Sequence, residues 1–404
     1  MNARSIGLSA SLVLAVFVVA CGTSGRSAFG TETAEEPTVG ADNAGGGGGG
    51  GGFSNEPAPE GNGHNCAINA TSTDLEKDFD GDGYALKDDC NECNTSINKG
   101  AQDVPGNGID EDCSGTADDE EIDCDTGLDI AGSDPYDGAR AMGLCKKADP
   151  SGRDWGVISA KWVRPDGKSL GNKEGIGILP KLGVNSPQTG SSMLFLSSGT
   201  AREPSGGWDP LWGSNDKRYQ HGTPPGYPKE SPACPGVTTG AAQDGVALEL
   251  KIRVPSNAKS FSYQQNFFTF EYPEWVCDEY NDFFVTIMNP APDGLPDGNI
   301  AFDQDMNPIS VNNSLLQVCN PGTFANKTFT CPLGTAPLAG TGFEGHAATG
   351  WLTTSAPVTP GSEITLLWAI WDSGDGNLDS SVLIDDFKFS IEEATTGTQP
   401  SVPK

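Results

Sequence analysis

Gly245-Val246-Ala247-Leu248-Glu249-Leu250-Lys251-Ile252-Arg253-Val254 decides the fold class. Val246, Leu248, Leu250, Ile252 and Val254 alternate with Ala247, Glu249, Lys251 and Arg253, a period of two that belongs to a half-buried strand and not to a helix. Further strands are expected on either side. Lys259–Phe270 is rich in aromatics, and its hydrophobic phase changes near Phe267-Phe268, which predicts a bulge there. Phe283–Met288, Glu363–Trp371 and Ser381–Ile391 read as strands, and Met193–Leu196 as a shorter one. No pattern of period 3.6 runs for three turns, and turn residues recur between the apolar runs. All eight Trp fall in residues 154–392. The expectation for residues 151–392 is therefore an all-β, jelly-roll-like β-sandwich with long loops, followed by a polar tail at 393–404.

Upstream of the sandwich the composition changes twice. Residues 66–149 carry 22 Asp+Glu against 6 Lys+Arg and few aliphatic side chains in their first half. So small and charged a segment cannot fold on an apolar core alone and needs disulfides, metal or both. Near its end Asp134-Pro135 opens a short helix expected to reach Leu144, with Asp134 as N-cap. Residues 21–65, with eight consecutive glycines at Gly45–Gly52, have almost nothing to bury and read as a disordered tether. Ahead of it, Arg4 and the apolar stretch Ile6–Val19 form a signal-peptide pattern too short to span a bilayer.

That leader ends Val18-Val19-Ala20-Cys21, which resembles the lipobox of bacterial lipoproteins. The resemblance implies removal of residues 1–20, lipidation of Cys21, and anchoring to a membrane through that lipid. Gly22 after the Cys resembles the outer-membrane sorting pattern, so the outer membrane or cell surface is expected, with a periplasm-facing protein as the alternative. The ten remaining Cys are even in number, as for an exported disulfide protein. Proximity in sequence pairs Cys124 with Cys145, Cys319 with Cys331 and Cys234 with Cys277, leaving Cys66, Cys90, Cys93 and Cys113 to pair among themselves.

A formal charge of −31 excludes nucleic acid as a natural partner, because phosphate binding needs clustered Lys and Arg. It favours cations. Asp78-Phe-Asp80-Gly-Asp82-Gly83-Tyr84 puts carboxylates at positions 1, 3 and 5 of a loop and glycine at position 6. Calcium takes about six to eight oxygens at roughly 2.3–2.6 Å, and such a loop supplies them, with the Tyr84 carbonyl at position 7 and Asp89 at position 12. Asn107, Asp110 and Asp112, followed by Asp118 and Asp119, offer a second oxygen-rich turn. The stretch from Asp78 through Asp89-Cys90 to Asn107-Gly-Ile-Asp110-Glu-Asp112-Cys113 resembles the MopE-type metal-binding repeat of exported bacterial proteins. That family name invokes copper. Copper prefers imidazole, thiolate or thioether, the stretch offers carboxylates, and His64 is the nearest imidazole; calcium is the expected ion.

Glu271-Tyr-Pro-Glu274-Trp-Val-Cys277-Asp278-Glu279-Tyr280-Asn281-Asp282 and Trp371-Asp372-Ser-Gly-Asp375-Gly-Asn377-Leu-Asp379, running on to Asp385-Asp386-Phe, resemble the choice-of-anchor L domain of bacterial surface proteins; Met193-Leu-Phe-Leu-Ser-Ser-Gly-Thr fits a further strand of it. The resemblance covers about 230 residues and implies a surface protein without defining an activity. Its acidic clusters invite a second metal reading, with Glu271, Asn281, Asp282, Asp379 and Asp385 gathered at one edge of the sandwich. Exposed Trp208, Trp212, Trp275 or Trp351 could stack on sugars. Among the three His, no zinc motif, nucleophile elbow or phosphate loop appears. Adhesion to, or recognition of, an extracellular polymer or protein is the expected work. The alternatives are a polysaccharide hydrolase using Glu271 with Glu274 or Asp282, and surface metal acquisition.

Overall fold

The computed structural model describes residues 74–119, 124–201 and 216–402. The signal sequence, Cys21, the glycine tether, His64, Cys66, Trp208 and Trp212 lie outside the described residues. In chain order the regular elements are α1 (Pro135–Arg140), β1 (Gly156–Val163), β2 (Ile176–Leu179), β3 (Met193–Ser197), β4 (Ala242–Arg253), β5 (Ser260–Thr269), β6 (Phe283–Asn289), β7 (Gly322–Phe324), β8 (Lys327–Phe329), β9 (Ala347–Ala348), β10 (Leu352–Pro357), β11 (Glu363–Ser373), β12 (Ser380–Ser390) and β13 (Gly397–Pro400).

Two antiparallel sheets face one another. One runs β1-β4-β11-β6; the other runs β13-β10-β5-β12-β3-β2, with β9 on β5. Passing from β3 to β4, β4 to β5, β5 to β6, β10 to β11 and β11 to β12, the chain changes sheet each time, which gives the jelly-roll-like sandwich. Val246, Leu248, Leu250 and Ile252 of β4 join Ile364, Leu366, Trp368 and Ile370 of β11 in the core, against Phe261, Tyr263, Phe267, Val382 and Ile384 from the other sheet. Tyr263 spans the two layers: its ring meets Trp368 edge-on at 5.7 Å and its hydroxyl lies 2.5 Å from Thr286 Oγ1.

Each sheet is also covered on its outer face. Phe195, Phe268 and Leu383 pack beneath Phe343, Leu338 and Val318. Ala247, Phe283, Ala369 and Trp371 pack beneath Tyr227. This double covering accounts for the apolar run at Phe267-Phe268. Phe267 faces the inner core and Phe268 the outer cluster, so β5 continues without the expected bulge. The bulge lies on its partner. Asp385 pairs with Gln264 and Lys388 with Ser262, so β12 spends one residue more than β5. There Asp386 adopts φ 52°, and the Phe387 N–H leaves the ladder for the Met142 carbonyl at 2.7 Å.

Two further expectations are corrected. The helix ends at Arg140, not Leu144. The Gly143 N–H bonds Arg140 O and the Leu144 N–H bonds Ala139 O, with Gly143 at φ +92°, a left-handed C-terminal cap that only glycine adopts freely. The N-terminus is as read, with Asp134 accepting the Tyr136 N–H. The segment 393–404 is not merely a tail, because Gly397–Pro400 pairs with Leu352–Ser355 as an edge strand.

Disulfides join Cys90–Cys113, Cys124–Cys145, Cys234–Cys277 and Cys319–Cys331, and Cys93 is also disulfide-bonded. The acidic segment belongs to the same compact unit as the sandwich and docks on it by polar contacts. Gln102 and Asn257 exchange two hydrogen bonds, Ser256 binds Gly100 and Asn98, and Asp125 accepts from Ser191 and Ser192. Among the described residues no helix is long and apolar enough to cross a membrane.

Candidate metal centre

The loop Asp78–Tyr84 is wound by its own carboxylates. Asp78 accepts the N–H groups of Gly81 and Gly83, at 2.6 and 2.9 Å, across a turn that holds Gly83 at φ +94°. Asp80 accepts the Asp82 N–H, and Asp82 accepts the Tyr84 N–H at 2.7 Å. Two residues arrive from the next turn: Asp89, whose Oδ1 takes the Asn91 N–H, and Glu92, whose Oε2 takes the Phe79 N–H, each at 2.6 Å. The result is a convergence. Carboxylate oxygens of Asp80, Asp82 and Asp89 lie within 4.8 Å of one another, as do those of Asp78, Asp80 and Glu92.

Each of these acids is thus held by a backbone N–H. Asp80 Oδ2 and Asp89 Oδ2 are buried and accept no hydrogen bond. A buried carboxylate oxygen without a donor costs several kcal/mol unless a proton or a cation meets it. Burial pushes the Asp89 carboxyl up to about 8, and the charges of Asp82, Asp80 and Glu92 add to the effect. Asp80, Asp82 and Glu92 are raised as well, in each case first by burial. The donor set is oxygen only. Cys90, Cys93 and Cys113 are locked in disulfides and offer no thiolate, so the group fits a hard cation and not copper.

The second turn is rebuilt relative to its expected form. Asp112 is met by Asp103 and Asp119 within 4.8 Å. Asp110 is not part of that group of acids. The Asn107 amide is spent on Glu111 Oε1 and on the Ile109 N–H, and the Asp110 carboxylate caps the Ser114 and Gly115 N–H groups. Asp118 likewise accepts from Gly106, Asn107 and Gly108. Asp112 is compensated by Lys146 at 3.2 Å, so this turn has less need of an ion than the first. The Cys90–Cys113 bond, one residue from Asp89 and one from Asp112, staples the two turns together.

In the sandwich, Glu271, Asn281, Asp282 and Asp379 are all buried. Glu271 Oε2 accepts the Asp282 N–H at 3.2 Å, and the charge of Asp379 acts on Asp282. Asp385 does not join them. It sits six residues along β12, accepting the Gln188 and Thr189 N–H groups, where burial raises it to about 7. Trp275 stacks edge-on with Tyr280, and Trp351 packs partly buried on the outer cluster of the larger sheet.

The sequence reading missed Glu92, Asp103 and Asp372. Glu92 stands two residues beyond the Cys90 that follows the loop, a usable signal. Asp103 joins Asp112 and Asp119 from before the Pro105-Gly-Asn107 turn, and Asp372 is placed opposite Asp282 only by strand register.

Residues 172–390 match the choice-of-anchor L domain, and residues 89–119 match a MopE-type repeat described as "Putative metal-binding motif". No curated protein matches the chain.

Proposed function

The chain belongs to the choice-of-anchor L family, and on that premise we propose that it works as a lipid-anchored cell-surface protein. In this reading the acidic module takes up calcium, and the β-sandwich recognises an extracellular polymer or protein. The family and the metal motif make the protein surface-associated; the anchor at Cys21, the ion and the ligand are the proposal. One observation carries the ion: the buried, donor-free oxygens of Asp80 and Asp89 point into a group of carboxylates that has no nitrogen or thiolate ligand. Bound there, calcium would supply the missing positive charge and fasten the module to the sandwich through Asn98, which donates to Asp82 and accepts from Ser256.

The alternatives have less support. A polysaccharide hydrolase needs two carboxyls open to substrate, whereas Glu271 and Asp282 are buried. Copper or zinc acquisition needs softer ligands than this group provides.

Calorimetric titration of the full chain tests the ion. Calcium should bind, and Asp80→Asn with Asp89→Asn should weaken it at least tenfold, while copper at equal concentration should not displace it. Copper binding that displaces calcium, or calcium binding indifferent to the two substitutions, would refute the proposal. Metabolic labelling with a radioactive fatty acid, compared between the wild type and Cys21→Ala, tests the anchor.

A further inference from the structure

Tyr84 closes the first metal loop, and its side chain reaches out of that loop. The Tyr84 hydroxyl passes so close to Gly100 that a Cβ there would stand 1.8 Å from it; glycine makes the room. The hydroxyl donates to the Arg153 carbonyl at 3.2 Å, and the Arg153 guanidinium sits over the Tyr84 ring, 5.5 Å from its centre. Arg153 Nη1 comes to 3.6 Å from the position that a Cβ on Gly83 would take. Arg153 therefore stands directly against the Gly83-Tyr84 end of the loop.

The segment that carries Arg153 is fixed to the sandwich. Asp149 accepts the Ser151 N–H at 2.8 Å, and Arg253 of β4 grips the Asp149 and Asp154 carbonyls at 3.0 Å each. Lysines that flank the loop are committed elsewhere: Lys87 pairs with Glu76 at 2.6 Å and Lys99 with Asp88 at 3.0 Å. The charge of Arg153 acts on Asp82, against the burial and the Asp78 charge that raise that carboxyl. A fixed positive charge beside a cluster of acids does two opposite things. With no ion bound, it offsets the mutual repulsion of the acids. Once a divalent ion enters, the same charge repels it.

We infer that Arg153 is the counter-charge of the unfilled metal loop and a competitor of the ion, and so sets the calcium concentration at which the module fills. This rests on the calcium reading of the module. Arg153 does not touch the ion; it acts through its field on the loop. That field biases the loop toward the weak range, about 10⁻⁴–10⁻³ M, in which extracellular calcium modules work. Arg153 is exposed, so its effect on affinity is modest, about two- to fivefold, and screened by salt.

Calorimetric titration of the full chain with calcium at low salt tests the inference. Arg153→Gln should bind calcium about two- to fivefold more tightly than wild type. Arg153→Lys, which keeps the charge, should bind as wild type does. The gap between wild type and Arg153→Gln should close in about 1 M salt, where the screening length falls to roughly 3 Å. Melting curves give a second readout. Arg153→Gln should melt below wild type in chelator, where the counter-charge is missing, and the difference should shrink or reverse in saturating calcium. A residue that only packs on Tyr84 would lower the melting temperature alike in both conditions, with no salt-dependent change in affinity, and that result overturns the inference. So does an Arg153→Lys chain that binds as tightly as Arg153→Gln, which assigns the effect to the ring contact and not to the charge. Wild type that binds no calcium refutes the calcium reading and this inference with it. Wild type that binds, with Arg153→Gln binding equally, refutes only the role of Arg153.

Discussion

Replacing Asn98 with Ala severs the path from the metal loop to the sandwich. Asn98 is buried. Its Nδ2 donates to Asp82 Oδ2 at 2.7 Å, and its Oδ1 accepts the Gly100 N–H at 2.9 Å and the Ser256 hydroxyl at 2.7 Å. With the longer bond from Nδ2 to the Thr95 carbonyl at 3.4 Å, four hydrogen bonds at up to about 1 kcal/mol each put the loss near 3–4 kcal/mol when no calcium is bound. Calcium adds a second loss. Asn98 orients an acid that would ligate the ion, and removing such an outer partner typically weakens metal affinity about 10–100-fold. At saturating calcium that weakening removes a further ~1.4–2.7 kcal/mol of linkage. Urea unfolding of wild type and Asn98→Ala, each in chelator and in excess calcium at equal m-value, reads both terms. The destabilisation should be larger in calcium by that increment, and calorimetry should show the weaker affinity directly. Equal destabilisation in both conditions, with unchanged calcium affinity, would refute the coupling and leave Asn98 as a docking residue only.

Asp125→Ala should cost about 3–5 kcal/mol, because the Asp125 carboxylate accepts both the Ser191 and Ser192 N–H groups and both hydroxyls; Asp125→Asn, which keeps one acceptor, should cost about half as much in the same urea assay. Tyr263→Phe should cost about 1–2 kcal/mol, with the core otherwise intact, since it strands the Thr286 hydroxyl between the sheets. His221 gives a pH-dependent term. Its Nε2 accepts the Gly245 N–H and its Nδ1 bonds Gly222 O, and burial first holds its pKa below the usual value. A lowered histidine contributes stability above its unfolded pKa and loses it as pH falls through the folded one. The stability gap between wild type and His221→Gln should therefore be wide at pH 7.5 and narrow toward pH 5; a gap that widens on acidification would contradict the assignment.

The sandwich was legible where one face decides burial. In 246–254 the period of two survives because Glu249 and Lys251 stay half exposed. It was least legible where both faces are covered: in β5 every residue from Tyr263 to Thr269 is buried, so periodicity carries no register and the bulge was read onto the wrong strand. The edge strand at 397–400 is polar on both sides and gives no hydrophobic signal at all. The metal loop was readable because its geometry is local, an Asx-turn chain within a few residues. Glu92 comes from the next turn folded back on it, whereas Asp103 joins Asp112 and Asp119 in the second turn. In the sandwich, Asp385 looked equivalent to Asp379 in sequence, yet six residues of strand carry it along the sheet, while Asp372 joins Asp282 through a cross-strand register that no linear reading contains.

The most direct test of the account is a crystal structure of the chain grown with calcium, with anomalous differences collected at long wavelength. An anomalous peak bounded by Asp80, Asp82, Asp89 and Glu92 at calcium–oxygen distances of about 2.3–2.6 Å is the predicted result. Density for water alone in that group, or a copper ion held elsewhere by histidine, would contradict it.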